Sequence, residues 1–150
     1  MILDKVLPAG SVVLDFAAPD KAAVIAHLSS MLAAAASVPP ALIETALLAR
    51  EALGSTGVGS GVALPHARLH VLSGTHAVFL RLAAPVNFDS IDGRHVDLVC
   101  GVVAPDEPNA ALLTAVAAVS RVLRDAATTA GFREARDAEE VRRGLVEGRG

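Results

Sequence analysis

Arg50 and His66 bracket a glycine-rich run that also holds Thr56: Gly54-Ser55-Thr56-Gly57-Val58-Gly59-Ser60-Gly61-Val62-Ala63-Leu64-Pro65-His66. These residue types suit one chemistry. A neutral imidazole can attack phosphorus, and a guanidinium can clamp phosphate oxygens. A hydroxyl and the N–H groups of a turn supply further hydrogen bonds. Glycine-rich turns aim successive N–H groups at one point, making a concavity suited to an anion. Pro65 fixes the backbone immediately before His66, so a histidine held at the edge of such a concavity could receive a phosphoryl group. The plainer reading makes the glycines a tight loop between a helix and a strand. The coincidence of Arg50, Thr56, the glycines and His66 in one segment favours phosphoryl chemistry, which needs positioning and charge neutralisation above all.

Nucleotide motifs fail on specific residues. A dinucleotide fingerprint needs Gly-x-Gly-x-x-Gly opening a helix. Here Val62 follows Gly57 and Gly59 at the third required position, and Pro65 blocks a helix. Gly54 and Gly59 have Walker A spacing, but Ser60 stands where the lysine belongs. His66 and His70 have the i, i+4 spacing of metal ligands, yet Pro65 argues against a helix and Ala67 replaces a zincin's glutamate. Neither a metal nor a cofactor is expected.

The elements that must position these residues alternate between strands and helices. Val12-Val13-Leu14 reads as a short strand, and Asp20 as the cap of a helix carrying Val24, Ile25, Leu28, Met31 and Leu32. Pro39-Pro40 stops it, and Pro40 opens a second helix, about Ala41 to Ala52, with Leu42, Ile43, Ala46 and Leu47 on one face. Arg50 falls in its last turn. Val62–Leu64 and Ala77–Leu82 read as strands, Pro85–Arg94 as a turn region, and Val96–Val103 as a buried strand. A long helix is expected from the Pro105–Asn109 region to about Asp125, with Asp106 and Glu107 at its start and Arg121 and Arg124 near its end. The capping box Asp137-Ala138-Glu139-Glu140 starts a final helix. The expected fold is a single-domain α/β sandwich over 1–150, its mixed parallel and antiparallel sheet flanked by helices.

Composition narrows the partners. The 150 residues are 53% hydrophobic, 19% charged and 3% aromatic, with a net charge of -3. That excludes a disordered chain and leaves no basic footprint or stacking platform for nucleic acid. Cys100, the single cysteine, lies in an apolar run and reads as an inert core thiol of a reducing compartment. No membrane insertion and no signal peptide are read from the sequence, so the expected location is cytoplasmic. His76 and His95 fall at apparent strand edges, His27 on a helix face without a role, and Arg142-Arg143 on a solvated face.

The segment Arg50-Glu51-Ala52-Leu53-Gly54-Ser55-Thr56-Gly57-Val58-Gly59-Ser60-Gly61-Val62-Ala63-Leu64-Pro65-His66-Ala67-Arg68 resembles the active-site signature of the fructose/mannitol-type enzyme IIA domains of the bacterial phosphotransferase system. Within that family it is most similar to the nitrogen-regulatory branch. Pro85–Leu98, Ala104–Glu107 and Ser120–Asp125 extend the resemblance over nearly the whole chain. It implies that His66 accepts a phosphoryl group from HPr or its nitrogen-branch counterpart NPr. It also implies that Arg50 stabilises the phosphate, with Thr56, Gly57, Gly59 and the rest of the turn to Gly61 lining the pocket. Leu112 departs from the pattern, standing where the family usually places a second histidine, and Ser60 replaces a frequent asparagine.

The expected function is therefore a phosphocarrier that regulates partner proteins according to its phosphorylation state. Potassium transporters and sensor kinases are targets the resemblance suggests. Two alternatives stand beside it: an interaction module with impaired phosphotransfer, which Leu112 favours, and a sugar-specific enzyme IIA serving a separate enzyme IIB.

Overall fold

The run from Val96 to Pro105 is buried at every position but Asp97, as a strand covered on both faces must be. In the computed structural model, which describes residues 2–106 and 110–148, it is the sheet's central strand. The chain order is α1 (Ile2–Val6), β1 (Val12–Phe16), α2 (Lys21–Ala36), α3 (Pro40–Leu53), β2 (Gly57–Gly59), β3 (Val62–Ala63), β4 (His66–Leu69), β5 (His76–Val86), β6 (Val96–Pro105), α4 (Ala111–Leu123), α5 (Ala126–Glu134) and α6 (Ala138–Glu147).

β6 pairs antiparallel with β5, Cys100 opposite Phe79, and β5 pairs parallel with β1, Phe79 opposite Val12. The other edge of β6 takes β3 and β4, both parallel, and β2 folds back on β3. The sheet is mixed, as expected. Successive side chains of β6 enter opposite layers. Leu98, Cys100 and Val102 pack with Leu3, Ala115, Phe132 and Leu145 from α1, α4, α5 and α6. Val99 and Val103 pack with Ile25, Leu28, Ile43 and Leu47 from α2 and α3. Each large apolar side chain so buried contributes about 1.5–3 kcal/mol. Gly101 lets α2 approach closely: a Cβ there would stand 3.3 Å from Leu28 Cδ2. Burial pushes the Cys100 thiol up to about 12, so it is inert at neutral pH.

Several boundaries differ from the expectation. β5 continues through Pro85 to Val86, rejoining β6 where Val86 faces Val96 after an irregularity in the register. Of the residues read onto the apolar face of α3, Ile43 and Leu47 are buried, whereas Leu42 is 44% exposed. The long C-terminal helix is two: Arg124 ends α4, and the Asp125 carboxylate caps α5 by accepting from Thr128 N at 3.0 Å. The first turn of α4 carries no acid; Asp106 precedes the helix, and Glu107 and Asn109 lie outside the described residues. Asp137 caps α6 as anticipated, accepting from Glu139 N at 3.2 Å. His27 stacks on Phe16 with ring centroids 4.0 Å apart. No helix among the described residues is long and apolar enough to cross a membrane.

Candidate functional site

β3 and β4 are one strand interrupted once. Val62 faces Leu98 and Ala63 faces Val99; beyond Leu64-Pro65, His66 faces Val102 and Ala67 faces Val103. The offset is the same on both sides, so no residue is gained or lost. Pro65 has no N–H to give the ladder, although its carbonyl accepts Val102 N at 3.0 Å. The Leu64 carbonyl accepts instead from the His66 ring, with Nδ1 2.7 Å away. A carbonyl oxygen can only accept, so Nδ1 carries the proton. In the neutral ring Nε2 is then the nitrogen with a free lone pair.

His66, half-buried, lines a cavity of about 400 Å³ with Arg50 and Leu53 of α3, Arg68 of β4 and Leu112 and Leu113 of α4. Arg50 sits in the last turn of α3 and donates from Nη1 to the Gly54 carbonyl at 2.8 Å, which closes the helix end and holds the guanidinium near His66. Arg68 follows His66 by two residues, which in a strand puts both on one face. Strand alternation was the signal for this second cation, and it required knowing that His66 begins a strand. Leu112 is only 3% exposed and adds an apolar wall, while Leu53 (86%) and Leu113 (57%) leave the rim open to solvent. The position where the resemblance anticipates a second histidine thus adjoins His66, and it offers no hydrogen bond.

Thr56, Gly57 and Gly59 are not among that cavity's lining residues. Thr56 is buried, its hydroxyl donating to Glu51 Oε1 at 2.5 Å and its N–H to Glu51 Oε2 at 3.1 Å. Glu51 also accepts from Lys21 Nζ at 3.2 Å. The Thr56 carbonyl in turn accepts Leu64 N at 2.9 Å, so Glu51, Thr56, Leu64 and His66 form a continuous chain of contacts. Gly57 is required by a close approach, since a Cβ would fall on the Ser90 side chain. Gly59 and Gly61 shape a hairpin. Ser60 and Gly61, at φ 58° and 81°, form the two-residue loop joining β2 to β3, and positive φ at both positions matches the right-handed twist of the strands. The glycine run is a β-hairpin rather than an anion-cradling loop around His66. Neither His76 nor His95 lines the His66 cavity. Burial lowers the pKa of His76, and His95 is exposed.

Residues 5–147 match the family described as phosphoenolpyruvate-dependent sugar phosphotransferase system, EIIA 2. A nitrogen regulatory protein of Bradyrhizobium diazoefficiens is 44% identical over 95 residues, which span 63% of this chain and 62% of that protein. One of Escherichia coli K12 is 34% identical over 116 residues, spanning 76% and 71%. The crystal structure of the nitrogen regulatory protein IIA-Ntr from Neisseria meningitidis superposes with a TM-score of 0.92 at 30% identity, covering 97% of this chain and 99% of that one. The E. coli mannitol IIA solved in complex with phosphorylated enzyme IIB shares the fold, with a TM-score of 0.80 at 22% identity, covering 94% and 97%.

Proposed function

This chain belongs to the EIIA 2 family of the phosphoenolpyruvate-dependent sugar phosphotransferase system, and we propose that it is a nitrogen-regulatory phosphocarrier, one EIIA domain over 1–150, that accepts a phosphoryl group on His66. The observation that carries the reading is the 2.7 Å contact of His66 Nδ1 with the Leu64 carbonyl, beside Arg50. That contact makes Nε2 the attacking atom.

The donor is a phosphohistidine on an HPr- or NPr-type carrier. As the donor's P–N bond breaks, the P–Nε2 bond forms, and the donor imidazole leaves with the electron pair. Nε2 has no proton to lose. The product ring carries substituents on both nitrogens and gains positive character, which strengthens the Nδ1–H bond to Leu64. Arg50 and Arg68 neutralise the equatorial oxygens from opposite sides of the sequence segment. Thr56, Gly57 and Gly59 act by positioning: they set the hairpin that presents Leu64, and through it the ring.

Phosphorylation places roughly two negative charges inside a rim formed by Leu53 and Leu113. A partner docking on that apolar rim would distinguish the two states, which gives the regulatory output. Regulatory targets such as potassium transporters or sensor kinases, and a cytoplasmic location, belong to the same proposal. Leu112 favours a second reading, an interaction module whose transfer is slow, because its wall gives the bound phosphoryl group nothing to bond.

Intact-protein mass after incubation with phosphoenolpyruvate, enzyme I and an HPr-type donor tests the first reading. One acid-labile phosphoryl group in the parent and none in His66→Ala is expected, with phosphorus-coupled nitrogen NMR assigning it to Nε2. No gain with an active donor would overturn the carrier reading in favour of the interaction module.

A further inference from the structure

A second cavity, of about 270 Å³, lies between the β2–β3 hairpin and the α4–α5 junction and shares no lining residue with the His66 cavity. Its volume is near the lower end of small-ligand sites. Three arginines line it: Arg94, Arg124 and Arg133.

Arg133 is held in place. Its Nε donates to Asp97 Oδ2 at 2.9 Å, and its Nη2 donates to Asp97 Oδ1 and to the Ser60 carbonyl, each at 2.9 Å. Both Nη1 hydrogens are left without an acceptor among the described residues. Among the described residues the Arg94 and Arg124 guanidinium groups donate no hydrogen bond, Arg94 feeling only the charge of Asp92, and the half-buried Ser120 hydroxyl has no hydrogen-bond partner. Among the described residues no carboxylate lines the cavity. Asp97 is committed to Arg133. Exposed Asp92 accepts Ser60 N at 2.8 Å and Arg94 N at 3.0 Å and feels the Arg94 charge. Asp125, between Arg124 and Ala126, caps α5 through Thr128 N. The charged groups on the lining itself are therefore all cationic, on a chain of net charge -3.

Unshared guanidinium donors gathered in one concavity repel each other until an anion enters. One arginine fork saturates a planar carboxylate, whereas a tetrahedral phosphate accepts from several directions. Beside the polar Ser60 and Thr129, Val58, Val62 and Leu123 form an apolar wall that a bare ion would leave unused. We propose that this cavity binds a small phosphomonoester, its phosphate held by Arg94, Arg124, Arg133 and the Ser120 hydroxyl and its carbon skeleton set against that wall.

Amide NMR titration of the full chain with glycerol 3-phosphate, up to concentrations on the order of 10 mM, tests this. Saturable shifts at the hairpin, Ser120 and Arg133 are expected, unchanged in His66→Ala. The double variant Arg94→Gln/Arg124→Gln, which removes two exposed guanidinium groups that donate no hydrogen bond among the described residues, should weaken binding by roughly tenfold or more. Ser120→Ala should weaken it less. Glycerol should give no shift, and inorganic phosphate should bind more weakly than the ester. The proposal falls if no saturable shift occurs, if the double variant binds like the parent, if shifts localise to the walls around His66 and Arg50, or if inorganic phosphate binds as tightly as the ester.

Discussion

Replacing Glu51 by glutamine separates the positioning of His66 from the chemistry at it, because Glu51 does not line the His66 cavity. Its side chain is 5% exposed and accepts from Thr56 Oγ1, Thr56 N and Lys21 Nζ. All three are donors. With the glutamine oxygen at the Oε1 position, its NH2 meets Lys21 and the Thr56 N–H, donor against donor. With the amide flipped, Lys21 keeps an oxygen and the NH2 can donate to Thr56 Oγ1, but the hydroxyl hydrogen is orphaned. A charge-assisted bond is therefore lost either way, worth about 1.5–3 kcal/mol. The ion pair itself adds little, since Lys21 is 24% exposed and keeps Asp89 at 2.9 Å. A total near 2–3 kcal/mol corresponds to a melting temperature lower by about 4–12 °C for a chain of this size. Loosening Thr56 also loosens Leu64, so phosphorylation of the folded variant should slow while His66 remains the acceptor. Calorimetry and a time course of phosphoryl gain read the two effects. A melting temperature within about 1 °C of the parent would refute the account of Glu51 as the anchor of the hairpin. An unchanged rate at a lowered melting temperature would refute the link from the hairpin to His66.

Leu112→His supplies a hydrogen-bond partner beside His66. It should lengthen the lifetime of the phosphorylated protein roughly ten- to hundredfold, the worth of one charge-assisted bond, at a cost of about 2–3 kcal/mol from the lost leucine burial; decay of the phosphorylated mass and thermal unfolding measure both. Stability should also fall with acid through His76. Burial lowers its folded-state pKa below the ordinary value of 6.5, so the unfolded chain takes up the proton first and stability declines as pH drops from about 6.5 toward the folded-state value. Parent and His76→Asn melting curves across that window should converge at its acid end, and parallel curves would contradict the assignment.

The sheet's centre and its flanking helices were legible because their signals are local and redundant. β6 is apolar at nearly every position, α2 has an aspartate cap and helical spacing, and α6 opens on Asp137. α5 was not, because Ala126–Glu134 is rich in threonine and contains Gly131, and its cap, Asp125, reads equally well as the end of α4. α1, of five residues, is too short to show a period. β4 begins directly after a proline, and its pairing depends on β6, more than thirty residues away.

The glycine run shows why residue types can be read from a sequence while the contacts that demand them cannot. His66 and Arg50 do share a cavity, and Leu112 adjoins them, because the order of strand and helix fixes their separation. Glycine types alone do not say what demands them. Positive φ is required equally by an anion-cradling turn and by a two-residue hairpin loop, and both place Gly beside Ser. Here the hairpin wins: β3 must leave the turn in register with Leu98 and Val99 so that, three residues after Ala63, His66 rejoins β6 opposite Val102. The proline that breaks the ladder leaves the preceding carbonyl to the imidazole. The glycines thus serve the histidine through register. A substitution at Gly61, where φ is +81° and a Cβ would stand 2.7 Å from Arg133 Nη2, should therefore disturb the His66 ring without touching its cavity.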